Sequence, residues 1–158
     1  MADIFKANEV AELAILIEEN GEAFYNSLKE SAKNTATGKL FAYLAAEERK
    51  HRATFQEMSD SVSKYAPPES YPGEYDLYMK SLADDNVFTK RAVGEAWAKK
   101  ATTDLKAIDM ALRFEKDSII FFDGMKRFVP QAEHKKMDWL IGQEREHIIK
   151  LTNLKKTV

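Results

Sequence analysis

The sequence contains no cysteine, which excludes disulfides, thiolate zinc sites and iron–sulfur clusters together. It also lacks an excess of positive charge. With 24 Lys and Arg against 26 Asp and Glu, the formal net charge is −2, so little offsets phosphate repulsion and a nucleic-acid binder is not expected. No stretch approaches the roughly 18–20 apolar residues needed to cross a bilayer. The start, MADIFKANEV, lacks the basic-then-apolar run of a secretion signal. A reducing, cytoplasmic setting without membrane association is therefore expected. Proline is scarce, at four residues, and most of it is concentrated in YAPPESYPG (65–73). The length, 158 residues, suits a single domain with a core of its own.

Long proline-free segments with apolar residues at helical spacing fill the rest. The first is expected over 8–33, where Val10, Leu13, Leu16, Ile17, Phe24 and Leu28 form a stripe and Asn8 is a candidate N-cap. The second is expected over 37–64 and the third over 103–128; the fourth opens at Pro130, since a first turn tolerates proline. The first pair and the last pair are separated by only a few residues, which makes each an antiparallel hairpin (8–64 and 103–155). A long crossover, 65–102, joins the hairpins, with short helices expected in EYDLYMKSLADD and TKRAVGEAWAKK. The predicted fold is all-α: a four-helix bundle of two hairpins with one long crossover, the ferritin-like variant.

The two halves resemble each other. AILIEENGEAFY (14–25) aligns with ALRFEKDSIIFF (111–122), placing Glu18 opposite Glu115 and Tyr25 opposite Phe122. LAAEERKH (44–51) aligns with LIGQEREH (140–147), and Tyr43 falls opposite Trp139. Two of the three histidines therefore follow a glutamate by three residues, as Glu48/His51 and Glu144/His147. A single such pair is usually a solvated surface pair. Two of them, each with a partner glutamate about 30 residues upstream in mirrored halves, point to a site. Residues three apart share a helix face, so folding about a pseudo-twofold axis would bring four glutamates and two histidines together. That is the ligand set of bundle proteins holding two iron or two manganese ions. Four carboxylates and two divalent ions cancel formally, whereas the carboxylates alone would repel one another. Oxygen ligands with imidazole suit iron or manganese.

EENGEAFY with LAAEERKH, and EKDSIIFF with QEREH, resemble the rubrerythrin-like branch of the ferritin-like superfamily over nearly the whole chain. The resemblance implies a dinuclear non-haem iron site, with manganese as the alternative metal, that reacts with hydrogen peroxide or dioxygen, often in a homodimer. It implies bridging roles for Glu48 and Glu144, terminal or movable roles for Glu18 and Glu115, and one metal each for His51 and His147. Two features depart from the family. The four-cysteine rubredoxin-type site is missing, so electrons must come from a separate donor protein. The further carboxylate three residues from the third-helix glutamate is also missing, because Leu112 and Ser118 occupy those places.

Tyr25, two turns after Glu18, is the candidate catalytic residue: it can donate to a ligand carboxylate or to peroxide, or pack in the core with its polar tip paired. Glu22 is expected at the surface or beside the ligands, and Glu19 and Glu47 are expected to face away. Tyr43 and Trp139 are expected as packing layers. The basic stretches FTKR and KKTV are expected as solvated charge that could also dock an acidic donor. Peroxide reduction is the expected function. Iron oxidation or buffering, di-manganese catalase chemistry, and a structural protein with an unused site are the rivals.

Overall fold

The computed structural model describes residues 7–63, 65 and 73–158. Helices α1 (Ala7–Ser31), α2 (Thr35–Ser63), α3 (Glu74–Asp85), α4 (Gly94–Ala98), α5 (Asp104–Met125) and α6 (His134–Lys155) make up most of it. Single 3-10 turns occur at Val87–Thr89, Lys126–Phe128 and Gln131–Glu133, and no strand occurs among the described residues. Helix α1 packs along α2, and α5 along α6; α1 also touches α5, and α2 touches α6. The four long helices thus form the expected ferritin-like bundle of two hairpins.

Local chemistry fixes the hairpin turns. Asn34 Oδ1 accepts from the amides of Ala36 and Thr37 at the start of α2 (2.9 and 3.3 Å), an N-cap that satisfies free first-turn donors. Thr103 does the same for α5 through the Lys106 amide at 3.1 Å. The Asp104 carboxylate accepts from the amides of Lys33 and Asn34 (3.0 and 2.7 Å). The first residue of the second hairpin therefore ties down the turn of the first.

Several boundaries differ from the sequence expectation. Asn8 lies within α1 and does not cap it as described; its side chain, like most of 65–73, is outside the described residues. Pro130 does not open the fourth helix. Its ψ of 150° is extended, and a 3-10 turn intervenes before α6 starts at His134. The third helix tightens into a 3-10 turn after Met125. Helix α3 matches EYDLYMKSLADD, but the second crossover helix shrinks to the five residues Gly94–Ala98.

One α1 side chain makes four hydrogen bonds to the crossover. Asn20, 2% exposed, donates through Nδ2 to the carbonyls of Phe88 (2.8 Å) and Lys90 (2.7 Å). Its Oδ1 accepts from the amides of Val93 (3.1 Å) and Gly94 (3.2 Å). All the hydrogen-bonding capacity of the amide is used this way. Gly94 is required there, because a Cβ would lie 2.2 Å from the Asn20 carbonyl oxygen. Between these bonds Ala92 is held at φ 55°, a left-handed conformation that costs a non-glycine residue roughly 1–2 kcal/mol.

That anchor seats Phe88 against Phe24 and Phe114, with ring centroids 5.4 and 4.8 Å apart. Phe24 in turn meets Phe114 at 6.0 Å and Tyr25 at 5.3 Å. Burying each such phenylalanine stabilises the fold by roughly 1.5–3 kcal/mol. Together they form an aromatic wall beside the centre of the bundle.

Candidate metal centre

All six expected ligand residues converge in the bundle. Glu18 comes from α1, Glu48 and His51 from α2, Glu115 from α5, and Glu144 and His147 from α6. Five are fully buried and His147 is 1% exposed. Gly21 makes this approach possible: a Cβ there would lie 2.7 Å from the Phe114 ring and 3.0 Å from Glu48 Oε2.

The histidines turn Nδ1 toward the carboxylates. His51 Nδ1 lies 2.9 Å from Glu144 Oε1 and 3.8 Å from Glu18 Oε2. His147 Nδ1 lies 3.2 Å from Glu144 Oε2, 3.4 Å from Glu115 Oε2 and 3.5 Å from Glu48 Oε1. The rings stack with centroids 5.4 Å apart and planes inclined by 16°. Two groups of four could each hold an ion: Glu18, Glu48, His51 and Glu144, and Glu48, Glu115, Glu144 and His147, with ligand atoms within 4.8 Å of one another in each; a smaller group joins Glu47 to the two histidines. Glu48 and Glu144 belong to both groups of four.

These side chains present twelve nitrogen and oxygen atoms, two each. Only Glu115 Oε1 has a well-directed hydrogen bond, leaving eleven without one. Buried polar groups are nearly always satisfied, so this many unsatisfied atoms, nine of them carboxylate oxygens or Nδ1 nitrogens of the cluster, fit a dinuclear metal site.

Tyr25 supplies the exception. Fully buried, it donates its hydroxyl proton to Glu115 Oε1 in a short hydrogen bond. Both expected roles coincide: the ring stacks on Phe41 at 5.9 Å while the hydroxyl reaches a carboxylate of the opposite hairpin. Its counterpart Phe122 has no hydroxyl and packs on Phe55 at 4.8 Å. The tyrosine hydroxyl therefore breaks the twofold symmetry.

The carboxylates of the cluster raise or lower one another's proton affinity strongly. Burial pushes Glu18 and Glu48 well above the usual range, with further upward pressure from neighbouring glutamates. Burial and the charge of Glu144 raise Glu115 to about 8. Burial also opposes the charge on Glu144, but the close approach of Glu115 and both histidines outweighs it and holds that carboxyl below its usual value. Burial lowers His147, yet the Glu115 and Glu144 carboxylates overcome this and raise it to about 11.

These shifts give metal-stripped protein a defined pH response. Above the ordinary carboxyl value of 4.5, folded Glu115 keeps a proton up to about 8 that the unfolded chain has lost. Glu18 and Glu48 act in the same sense, and His147 does so between 6.5 and about 11. Folded protein thus binds more protons than unfolded, and stability falls as pH rises, by about 1.4 kcal/mol per pH unit for each such proton. Melting of chelator-treated protein is expected at lower temperature at pH 8 than at pH 5. A flat or rising dependence would mean that the carboxylates are not buried together.

Other expectations fare unevenly. Glu19 is exposed, and Glu22 pairs with Arg49 (2.7 Å) and Arg52 (2.9 Å) beside the site. Glu47 does not face away: it is 8% exposed and groups with His51 and His147, because a residue next to a ligand can still line the α2–α6 seam. Tyr43 and Trp139 are 40% and 50% exposed. Each meets the opposite hairpin's histidine edge-on, Tyr43 at His147 (6.3 Å) and Trp139 at His51 (6.1 Å), so they cover the site rather than fill the core. Ser118 is buried and donates to the Phe114 carbonyl (2.9 Å), while Leu112 packs against the core. His134 stands apart, with Nε2 2.9 Å from the Val129 carbonyl. In FTKR, Phe88 belongs to the core and only Lys90 and Arg91 are exposed; KKTV is exposed throughout. Asn20, which sequence reasoning passed over, was marked only by being a poor helix former inside a helix.

Among the described residues, no helix is long and apolar enough to cross a membrane. No curated protein matches the chain. A crystal structure of a ferritin-like diiron-carboxylate protein from Thermotoga maritima is similar to it: 28% identity, TM-score 0.71, covering 99% of this chain and 98% of that one. The Rubrerythrin family model matches residues 9–155. With a match across almost its full length and a buried Glu/His cluster at its centre, the chain belongs to the rubrerythrin family.

Proposed function

We propose that this chain is a non-haem di-iron oxidoreductase that reduces hydrogen peroxide to water in the cytoplasm, as a homodimer taking electrons from a separate donor protein. The observation that carries the metal assignment is the set of nine buried, unsatisfied atoms, seven carboxylate oxygens and two Nδ1 nitrogens, that converge within the bundle. Glu48 and Glu144 would be shared between the two ions, Glu18 and Glu115 would each serve one, and His51 and His147 would each serve one through Nδ1. Four carboxylates balance two divalent ions, which makes the loaded interior formally neutral. The chemistry that bound iron supplies is two-electron reduction of the O–O bond, coupled to uptake of two protons to give two waters, with the donor restoring the electrons.

The protein's own contribution is placement and exclusion. The Phe24, Phe88 and Phe114 wall bars solvent from one side of the centre. The Tyr25 hydroxyl holds a proton at Glu115 Oε1. It thereby orients that carboxylate, leaves Oε2 for metal, and keeps a donor within reach of an oxygen that gains negative charge.

Ser118, bonded to its own helix, and Leu112 offer no further carboxylate beside Glu115. Their presence favours iron oxidation as the second reading, since no extra ligand is available toward which an ion could shift. Anaerobically reduced, iron-loaded protein mixed with peroxide or dioxygen separates the two. Peroxide reduction predicts faster oxidation by peroxide than by dioxygen, and many peroxides consumed per site once a reductant is supplied. Faster reaction with dioxygen that stops after about one turnover would assign iron oxidation. Sustained peroxide loss with no reductant, by manganese-loaded protein, would assign catalase chemistry.

A further inference from the structure

Nδ1 of both His51 and His147 lies against carboxylates of the cluster. Nε2 of each ring is buried and has no hydrogen-bond partner. A histidine that binds metal through Nδ1 carries its proton on Nε2, and that N–H is nearly always donated to a carboxylate, carbonyl or water, which fixes the tautomer and the ring orientation. In helix α6 the residue one turn before His147 is Gln143, an amide. The corresponding residue of α2, one turn before His51, is Glu47. It is 8% exposed, and one of its carboxylate oxygens lies within 4.8 Å of a ring nitrogen of each histidine.

We propose that Glu47 is the shared outer partner of both histidines: its carboxylate accepts from the Nε2–H groups of His51 and His147, directly or through one water, and so sets both rings to present Nδ1 to the metals. The role rests on the six-residue metal assignment above. One carboxylate can serve two rings because the rings stack only 5.4 Å apart and an ionised carboxylate offers about four acceptor positions. Lys50 already occupies one of them, its Nζ lying 2.7 Å from Glu47 Oε1. At separations above a direct hydrogen bond, a bridging water is a recognised link. Tyr43 and Trp139 also meet the two rings at near-perpendicular angles. Glu47 is thus a positioning residue, acting on metal only through the imidazoles.

The test uses zinc, which is diamagnetic, with wild-type protein, Glu47→Gln and Glu47→Leu, all labelled with 15N at histidine. In zinc-loaded wild type, long-range 1H–15N spectra are expected to show Nδ1-bound, Nε2-protonated rings with slowly exchanging Nε2 protons at both His51 and His147. Glu47→Leu is expected to speed that exchange, shift those protons upfield and weaken zinc binding by about 10–100-fold. Glu47→Gln keeps an acceptor oxygen and is expected to recover most of the affinity, which a mere packing role would not separate from the leucine variant. Unchanged zinc affinity and unchanged Nε2 proton signals in Glu47→Leu would overturn the proposal. So would a third zinc ion bound by wild type and lost on substitution, since Glu47 would then be a ligand. If the wild type takes up no zinc at the histidines, the six-residue assignment fails first and this role fails with it.

Discussion

Replacing Glu144 with alanine is expected to abolish the thermal stabilisation that metal confers on the wild type. Glu144 belongs to both candidate ligand groups, and its two oxygens approach different histidines, Oε1 at 2.9 Å from His51 Nδ1 and Oε2 at 3.2 Å from His147 Nδ1. In a dinuclear site its loss would therefore remove a ligand from both ions at once, whereas Glu18→Ala or Glu115→Ala would remove a ligand from only one. An ion that binds folded protein alone stabilises it by about 4 kcal/mol when free metal is 1,000 times the dissociation constant. Two such ions make a shift in melting temperature large enough to read without ambiguity. Stripped and ferrous-loaded samples melted anaerobically should differ by many degrees for wild type, by less for Glu18→Ala, and by almost nothing for Glu144→Ala. A shift of wild-type size in Glu144→Ala would place the metal elsewhere.

The second large effect is expected away from the metals. Asn20→Ala removes four hydrogen bonds, to the carbonyls of Phe88 and Lys90 and from the amides of Val93 and Gly94, and leaves their backbone partners without the bonds. At about 1 kcal/mol net per bond, and more where a group stays buried and unsatisfied, the loss is about 4 kcal/mol. Urea unfolding should show a lower midpoint with little change in slope. A loss below about 1 kcal/mol would mean that the crossover is held chiefly by packing of Phe88.

The residues of the buried Glu/His cluster were legible because their signal is repeated. Glu-x-x-His fixes two side chains on one helix face, and the second copy, with matching upstream glutamates, sets the register of both hairpins. The long crossover was legible from its clustered prolines. What escaped lies where one residue decides the outcome. Asn20 carries no spacing signal, because its partners are backbone groups some 70 positions away. Glu47 was assigned to the outside by its place beside Glu48, but the seam between α2 and α6 is wide enough to bury both neighbours. The fourth helix begins after Pro130 because that residue adopts an extended ψ of 150°, a choice that proline's fixed φ leaves open. Tyr25 was identified by its phase relative to Glu18, while its partner, Glu115 on the opposite hairpin, could be found only once the hairpins were packed.

Anaerobic titration of metal-free protein with ferrous iron, followed by elemental analysis after removal of unbound metal, counts the ions that the buried cluster holds. Glu18, Glu48, His51, Glu115, Glu144 and His147 acting as one dinuclear site predict a sharp endpoint at two iron ions per chain. An endpoint at one, or no saturable uptake at all, would contradict it.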